Sequence, residues 1–364
     1  MANKRIFILL FCVLAIVSSA FAQEAQEPVK PKNVILMIGD GMGVAHITAA
    51  RYELGELAFE RFKNIGLSLT KCLDRPVTDS AAGGTALATG HRTNYTMVAM
   101  NPDGSELKTL LEYAHEAGKA TGITVTCLMP HATPAAFTAH NKSRYNLNEI
   151  AEQQVANRVV DVMIGGGSNY FMPQNFPKSK RTDDKNLINH LRNRMPVLFS
   201  MNELRAFNGR RVAAFLAKEH IPLAVKRDYT LGEMTEIAIK ALNKNDNGFV
   251  LMVEASHIDT LCHNNDQRKL IGEMNDFNTA INAALDFAQK DGNTLVVVTA
   301  DHETGGLTLP NKFFNDGKVT DAAFSSNSHT GCMVPVFAFG TNSELFTGIH
   351  KNCEIGQLLI DQIK

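Results

Sequence analysis

Residues 33–43 read NVILMIGDGMG, and this stretch determines the predicted fold. Residues 34–38 are all apolar, which is typical of a strand buried on both faces of a parallel sheet. A glycine-rich turn containing Asp40 follows, and residues 44–54 then show a helical pattern. The stretch therefore predicts a strand, a turn and a helix, which is the repeating unit of an α/β protein.

The same alternation of helices and buried strands continues along the chain. Helices are predicted over residues 106–117, 231–242 and 276–289, and strands over residues 122–128, 159–164, 249–253, 294–299 and 333–339. A further short strand is predicted to end near Val77. The pattern predicts a three-layer α/β/α sandwich with a large, mostly parallel central sheet.

The domain organisation follows from the continuity of this pattern. A length of 364 residues favours about two domains. However, no linker of low complexity interrupts the alternation, so we expect a single domain over residues 33–364. Residues 168–227 show the weakest pattern and could form a subsidiary cap on that domain.

Residues 1–22 are predicted to be a secretory signal peptide. They contain a positive start at Lys4 and Arg5, an apolar core over residues 6–17 and the cleavage sequence AFA at residues 20–22. Residues 23–32 are predicted to be a flexible lead-in. No later stretch is long and apolar enough for a transmembrane helix. We therefore expect an exported protein, periplasmic or secreted, with no membrane anchor after cleavage.

The composition disfavours several classes of partner. The formal net charge is −1, so no basic surface for nucleic acid is expected. The absence of tryptophan and the low aromatic content of 7% disfavour stacking platforms for sugars or bases. Five cysteines follow the predicted signal peptide, with no C-x-x-C spacing, so one or two disulfides and buried free thiols both remain open. These cysteines are Cys72, Cys127, Cys262, Cys332 and Cys353.

A second informative stretch, VTDSAAGGTA, spans residues 77–86. Ser80 follows a threonine and an aspartate, which are good N-cap residues, and precedes small, helix-compatible residues. A helix start favours an anion, but a serine hydroxyl becomes a useful nucleophile only beside a base or a metal ion. On this stretch alone, a tightly packed helix start with a capping serine is the more common explanation.

The predicted strands end in residues that could supply such a base or metal site. Because ligands of open α/β sheets bind beyond the carboxyl ends of the strands, these positions are expected to lie together. Each one alone is weak: Asp259 and His263, for example, would share one face of a helical turn but could be a surface pair. Together they offer carboxylate and imidazole ligands suited to zinc, and oxygen ligands suited to magnesium. The candidate residues are Asp40, His131, Thr133, Arg144, Glu254, Asp259, His263, Asp301, His302 and His329.

The sequence around these residues resembles the alkaline phosphatase family. The match to the family's active-site serine motif, VTDSAAGGT, is long and specific. Five further blocks resemble the family in its own order, and the likeness runs from about residue 32 to residue 340. These blocks are IGDGMG (38–43), HATPAA (131–136), VEASHID (253–259), TADHETGG (299–306) and SHTG (328–331).

The resemblance implies a role for each candidate residue. It implies that Ser80 is the nucleophile and forms a phosphoserine, that Arg144 binds the phosphate, and that Asp79 orients Arg144. It also implies a first zinc ion, a second zinc ion and a magnesium ion. The implied ligands are Asp259, His263 and His329 for the first zinc, Asp40, Asp301, His302 and Ser80 for the second, and Asp40, Thr133 and Glu254 for magnesium.

The implied activity is hydrolysis of phosphate monoesters at alkaline pH, with a role in phosphate scavenging. The implied partners are small-molecule phosphate monoesters, and the family's usual state implies a homodimer. This sequence departs from the family pattern at two positions. His131 stands near the magnesium site where some members carry an aspartate, which leaves the identity of the third ion open. Thr260 stands where relatives often have a lysine or histidine that assists phosphate binding.

Three other interpretations compete with this one. A sulfatase would need a Cys-x-Pro-x-Arg or similar nucleophile, which is absent. A phosphodiesterase or phosphoglycerate mutase of the same superfamily is a second alternative, although a diesterase would not need the third ion site. An exported protein that only sequesters phosphate or metal is the third, but every ligand and the nucleophile are present.

Overall fold

The computed structural model describes residues 30–364 of the chain, and Pro31–Lys364 forms one compact unit. The predicted signal peptide, residues 1–22, and residues 23–29 of the predicted lead-in lie outside the described residues. Among residues 30–364, no helix has the length and apolar character that crossing a membrane requires.

A ten-stranded sheet forms the centre of the molecule. Its spatial order is β16-β2-β15-β8-β1-β7-β3-β4-β6-β5, and the remaining strands form three small two-stranded ribbons. In chain order the strands are β1 Asn33–Gly39, β2 Asn64–Leu69, β3 Ala120–Leu128, β4 Val162–Gly166, β5 Val197–Leu198, β6 Val212–Phe215, β7 Phe249–Ala255, β8 Thr294–Thr299, β9 Glu303–Thr304, β10 Leu307–Thr308, β11 Phe314–Asn315, β12 Lys318–Val319, β13 Ala323–Phe324, β14 His329–Thr330, β15 Val334–Gly340 and β16 Gly348–Lys351.

The central sheet is mostly parallel, as predicted. β1 lies between β7 and β8 and pairs in parallel with both, so that Leu36 is level with Met252 and Val297. β15 alone runs antiparallel to its neighbours, β2 and β8. The carboxyl ends of β1, β3, β7 and β8 consequently meet at one edge of the sheet.

Helices cover both faces of the sheet. In chain order they are α1 Val44–Leu54, α2 Ser80–Thr89, α3 Leu110–Glu116, α4 Ala132–Thr138, α5 Leu147–Ala156, α6 Leu187–Arg192, α7 Met201–Ala206, α8 Leu231–Leu242, α9 His257–His263, α10 Gln267–Asp291 and α11 Asn352–Asp361. Four short 3₁₀ helices join them in the described part of the chain, at Ala58–Arg61, Ser168–Tyr170, Ala224–Lys226 and Ser343–Phe346.

Two hydrophobic clusters show the three layers. Ile35 and Met37 of β1 pack into one cluster with α1, α8 and α10. Val34, Leu36 and Ile38 pack into the other with α2, α3 and α11. Because alternate side chains of one strand enter opposite clusters, both faces of the sheet are covered. The predicted three-layer α/β/α sandwich is confirmed.

The main departures from the predicted elements have local reasons. No strand ends near Val77; that prediction is wrong, since residues 70–79 form an irregular connection. There the carbonyl of Thr78 accepts from a histidine instead of joining a strand ladder. β2 was not predicted, because its buried and exposed residues alternate, unlike the continuous apolar runs of the inner strands.

Two further observations concern the predicted cap region and the state of the cysteines. Residues 168–227, the predicted cap region, contribute β5 and β6 to the central sheet, where β6 pairs in parallel with β4. All five cysteines among residues 30–364 are free thiols: Cys72, Cys127 and Cys262 are buried, Cys332 is exposed and Cys353 is half-buried.

Candidate active site

Ser80 is the first residue of α2, as its sequence context predicts. Asp79 is the N-cap, and its Oδ1 accepts a hydrogen bond from the backbone N–H of Ala82 over 3.1 Å. Ser80 Oγ lies 3.3 Å from Nε2 of His302. Ser80 lines a cavity of about 500 Å³ at the carboxyl edge of the sheet. The hydroxyl is thus placed where the helix N-terminus favours an anion.

Arg144 reaches the same cavity and is held by Asp79. Its Nη1 donates to Oδ2 of Asp79 over 3.0 Å, and its Nη2 lies 3.4 Å from Nε2 of His131. The side chain of Asp79 is almost fully buried and that of Arg144 is mostly buried. This charge-assisted contact fixes the guanidinium beside the nucleophile candidate, with other N–H groups left to bind an oxyanion.

Asp259, His263 and His329 form a first cluster at the cavity. Nε2 of His263 lies 3.3 Å from Oδ2 of Asp259 and 3.2 Å from Nε2 of His329. The other ring nitrogen of each histidine faces a backbone carbonyl, that of Asn327 for His263 and that of Thr78 for His329. Each Nδ1–H can therefore donate to its carbonyl, so that Nε2 of the neutral ring faces the cluster and can bind a cation.

Asp40, Asp301 and His302 form a second, fully buried cluster. Nε2 of His302 lies 3.2 Å from Oδ2 of Asp301 and 3.6 Å from Oδ1 of Asp40. Oδ1 of Asp301 accepts from the backbone N–H groups of Gly41 and His302. Both oxygens of Asp40 and Oδ2 of Asp301 receive no hydrogen bond. Buried carboxylate oxygens without donors are costly, and a bound cation would satisfy them.

A third cluster lies behind Asp40. Three further buried atoms there have no hydrogen-bond partner: Oε1 of Glu254, Oγ1 of Thr133 and Nδ1 of His131. Oε2 of Glu254 accepts from the thiol of Cys127 over 3.3 Å. The oxygen donors of Asp40, Thr133 and Glu254 fit a hard cation such as Mg²⁺. The thiol of Cys127 and the imidazole of His131 add softer donors at the edge of this group.

The electrostatics of these clusters favour the binding of positive charge. Burial, followed by neighbouring carboxylates, raises the pKa of Asp40 well above its ordinary value. Burial chiefly raises the pKa of Glu254 to about 7 and that of Asp301 to about 6. Burial also lowers the pKa values of His302 and His329 to about 4, so both imidazoles are neutral ligands at pH 7. Divalent cations would let all the carboxylates ionise together, so the donor set fits metal ions.

The structure brings all the predicted site residues to one edge of the sheet. Residues that are far apart in the chain are close neighbours there. The ring of His302 stacks on that of His329 with a centroid distance of 3.5 Å, so the first two clusters adjoin. Thr260 lines the cavity next to Asp259.

Two residues close to the clusters were not predicted. Thr304 donates from Oγ1 to Oδ1 of Asp259 over 2.5 Å, and the same oxygen lies 3.2 Å from Nδ1 of His302. His302 lies outside a strand, so its i, i+2 spacing from Thr304 is no signal that the two side chains share a face. Cys127 is the other residue, and no local pattern distinguishes it from an ordinary buried thiol of β3.

A serine lies at a helix start, next to buried carboxylates and imidazoles at the carboxyl edge of a parallel sheet. The chain is thus an α/β protein with a nucleophile candidate beside groups that could hold metal ions. A family model described as alkaline phosphatase matches residues 31–321 of the chain. The chain belongs to the alkaline phosphatase family.

Individual relatives agree with this assignment. The chain is 40% identical over 314 residues to alkaline phosphatase 3 of Bacillus subtilis, a match that covers 80% of this chain and 66% of that protein. It spans slightly less than two thirds of the length of alkaline phosphatases 3 and 4 of Bacillus subtilis, at 66% and 64%.

Among solved structures, the alkaline phosphatase of the Antarctic bacterium TAB5 superposes with a TM-score of 0.85 at 37% identity. That match covers 92% of this chain and 99% of the TAB5 chain. A TAB5 variant with a histidine replaced by aspartate, described with magnesium in its M3 site, superposes with a TM-score of 0.84.

Proposed function

We propose that the protein hydrolyses phosphate monoesters to an alcohol and inorganic phosphate. The observation that carries the proposal is Ser80 at the start of α2, 3.3 Å from His302 and beside buried carboxylate oxygens that lack donors. Membership of the alkaline phosphatase family supports the same reaction.

In the proposed reaction, Ser80 Oγ attacks phosphorus in line with the departing alcohol, and a phosphoserine forms. Water then attacks phosphorus from the side that the alcohol has left, which releases phosphate and restores the hydroxyl. Arg144 donates N–H groups to the phosphoryl oxygens, and the free N–H groups at the start of α2 favour the same negative charge. Asp79 keeps the guanidinium of Arg144 oriented throughout.

We propose three metal sites with the ligands that the resemblance implies. Asp259, His263 and His329 would hold one zinc ion, and Asp40, Asp301, His302 and Ser80 would hold the other. When bound, these ions would supply Lewis acidity towards the attacking and leaving oxygens.

Asp40, Thr133 and Glu254 would hold magnesium, with His131 close by. The donors without hydrogen bonds support this third site. The magnesium in the M3 site of the TAB5 protein is described for variants in which an acidic residue replaces a histidine, so magnesium is proposed here from the oxygen donors of this chain alone.

The pH dependence of the proposed activity follows from the ligands. The hydrogen bond with Asp259 raises the pKa of His263 to about 9, so His263 carries a proton at pH 7 that a cation must displace. We therefore expect activity to rise from neutral towards alkaline pH.

We further propose that the protein is exported to the periplasm or the medium, where it would release phosphate for uptake. The predicted signal peptide supports export. A homodimer is proposed on the family resemblance.

Ser80→Ala tests the nucleophile. We expect the variant to fold, as judged by circular dichroism, and to lose at least about 10³-fold in kcat on p-nitrophenyl phosphate. Ser105→Ala, in an exposed loop, is the control and should keep wild-type activity. Full activity of Ser80→Ala would refute the serine mechanism.

Chelation tests the metal centre on the same preparation. A chelator should abolish activity, zinc with magnesium should restore it, and elemental analysis should find both metals. A panel that includes bis-p-nitrophenyl phosphate separates the alternatives, since a phosphodiesterase would prefer this diester. Activity that survives complete chelation would contradict the proposed metal sites.

A further inference from the structure

The mouth of the cavity that contains Ser80 carries three planar side chains outside the proposed machinery. Arg75, Tyr95 and Tyr145 all line it. The guanidinium of Arg75 lies 4.0 Å from the ring centroid of Tyr95, a cation–π arrangement. Tyr145 is 72% exposed. Two of the six tyrosines of a chain without tryptophan therefore stand at this one opening.

The backbone that carries both tyrosines is hydrogen-bonded to the residues proposed to bind the phosphate. The backbone N–H of Thr96 donates to Oδ1 of Asp79 over 3.1 Å, and the backbone N–H of Arg144 donates to the carbonyl of Thr96 over 2.8 Å. Tyr95 and Tyr145 are the chain neighbours of these two residues. The network that orients Arg144 therefore also fixes the backbone of both tyrosines.

The backbone between them shows a further constraint. Thr96 has φ of 69°, although it is β-branched, and such residues rarely adopt the left-handed region. The N–H of Tyr95 donates to Oδ1 of Asp74 over 2.9 Å, which holds the segment from its other side. Strained backbone of this kind persists where surrounding contacts enforce it, and it is frequent at ligand sites.

The charge of the opening suits an anionic ester with a planar group. Arg75 is half exposed, and its guanidinium contacts one carboxylate in the described chain, that of Asp74, at 3.7 Å. Burial, followed by the charge of Asp79, raises the pKa of Tyr95, so its phenol stays neutral at alkaline pH. A phenolate there would repel the phosphate.

We propose that Arg75, Tyr95 and Tyr145 form a subsite for a planar ring on the alcohol part of the substrate. The preferred substrates are then phosphate monoesters of alcohols that carry an aromatic or heteroaromatic ring, such as nucleoside monophosphates. Stacking on aromatic and guanidinium planes provides the attraction, and it does not depend on the identity of the ring. This inference rests on the proposed phosphomonoesterase activity.

A matched pair of substrates isolates the effect of the ring on kcat/KM. Adenosine 5′-phosphate and ribose 5-phosphate present the same primary ester, but only the first carries a base. For the full-length wild-type protein with its metals, we expect kcat/KM to be about two- to tenfold higher for adenosine 5′-phosphate, the range of one or two exposed stacking contacts. A ratio of one would overturn the subsite.

Variants identify the side chains responsible. Tyr95→Leu combined with Tyr145→Leu should bring the ratio close to one, through loss on adenosine 5′-phosphate with little change on ribose 5-phosphate. Tyr95→Phe combined with Tyr145→Phe should keep the ratio, because the rings remain. Tyr52→Leu is the control, since Tyr52 is 54% exposed and lies outside the cavity lining.

The outcomes separate the two proposals. Equal losses on both substrates in the double leucine variant would overturn the subsite and leave the phosphatase activity standing. Hydrolysis of neither ester by the metal-loaded wild-type protein would overturn the proposed function, and the subsite with it. A selective loss on adenosine 5′-phosphate, absent from the Tyr52→Leu control, would support both.

Discussion

The thiol of Cys127 shows how one side chain can adjust a candidate metal ligand. It donates to Oε2 of Glu254, while Oε1 of the same carboxylate has no hydrogen-bond partner. The thiol thus occupies one oxygen of Glu254 and leaves the other oxygen free for a cation. Groups that orient metal ligands in this way commonly change metal affinity by about 10–100-fold when removed.

We therefore expect Cys127→Ala to weaken magnesium binding by about tenfold or more, because Glu254 loses its donor. Cys127→Ser keeps a donor and should retain most of the affinity. The measurement is a magnesium titration of zinc-loaded protein, followed by the rise in activity and by metal analysis. Cys353→Ala is the control. Unchanged magnesium affinity in Cys127→Ala would show that the thiol does not position Glu254.

At the scale of a single element, the position of α2 depends on a glycine that allows the helix to pack closely on its neighbour. All ten of its residues are buried. A Cβ added at Gly83 would lie 2.8 Å from the backbone oxygen of Asp301 and 3.2 Å from its Cβ. The helix that carries Ser80 thus packs directly on the loop that carries Asp301 and His302, which sets the distance between the candidate nucleophile and the candidate metal ligands.

Gly83→Ala should push α2 away from Asp301. We expect a loss of at least about tenfold in kcat and a lower zinc content, because the clash is with backbone rather than with a movable side chain. Gly84→Ala is the matched control: its Cβ would meet the Cβ of Ala136 at 3.2 Å, and alanine favours the helix by about 0.5–1 kcal/mol. Equal behaviour of the two variants would exclude this packing as the cause.

At the scale of the whole molecule, a group of buried ionisable side chains away from the cavity makes stability depend on pH. Arg227 and Asp276 form an ion pair with both side chains almost fully buried. Next to them, Oε1 of Glu273 accepts from the backbone N–H of Ala224 over 2.7 Å. These contacts attach residues 224–227 to α10. Burial raises the pKa of Glu273 to about 7.

The raised pKa of Glu273 predicts a pH-dependent stability. Between its ordinary pKa and about 7, folded Glu273 keeps a proton that the unfolded chain has released. Its contribution is therefore fully present below pH 4.5 and is lost as pH rises through 7. In urea unfolding, Glu273→Gln should match wild type near pH 4 and be more stable by about 1–3 kcal/mol at pH 8. Glu236→Gln, at an exposed position of α8, is the control. A constant difference across this range would contradict the assignment.

How much of the fold the sequence predicts depends on how regular the helical or apolar pattern of each segment is. The bounds of α1 and α8 match their predictions, since their helical pattern is complete. β2, β6 and β16 are short or partly exposed and were missed. The antiparallel direction of β15 is not encoded locally, because a buried strand has the same apolar pattern in either direction.

The site residues could be predicted because ligands of open α/β sheets bind beyond the carboxyl ends of the strands. Asp40, Asp301 and His302 lie within three residues of the ends of the inner strands β1 and β8, so parallel pairing brings them to one edge of the sheet. Asp259 and His263 do lie on one face of a helical turn, as their spacing predicts. Their roles as ligands stay proposals. Cys127 carried no distinguishing pattern, because its contact with Glu254 spans 127 residues of chain.

The sequence by itself determined the α/β class, the inner strands, the helix start at Ser80 and the residue types at the edge of the sheet. These features follow from local periodicity and from capping, which act over a few residues. Only the tertiary structure decided which donors adjoin, that Gly83 sets α2 against Asp301, and that Arg75 stacks on Tyr95 at the cavity mouth. Such contacts depend on strand register and close packing between distant segments, where a shift of a few tenths of an ångström decides whether donors can share an ion.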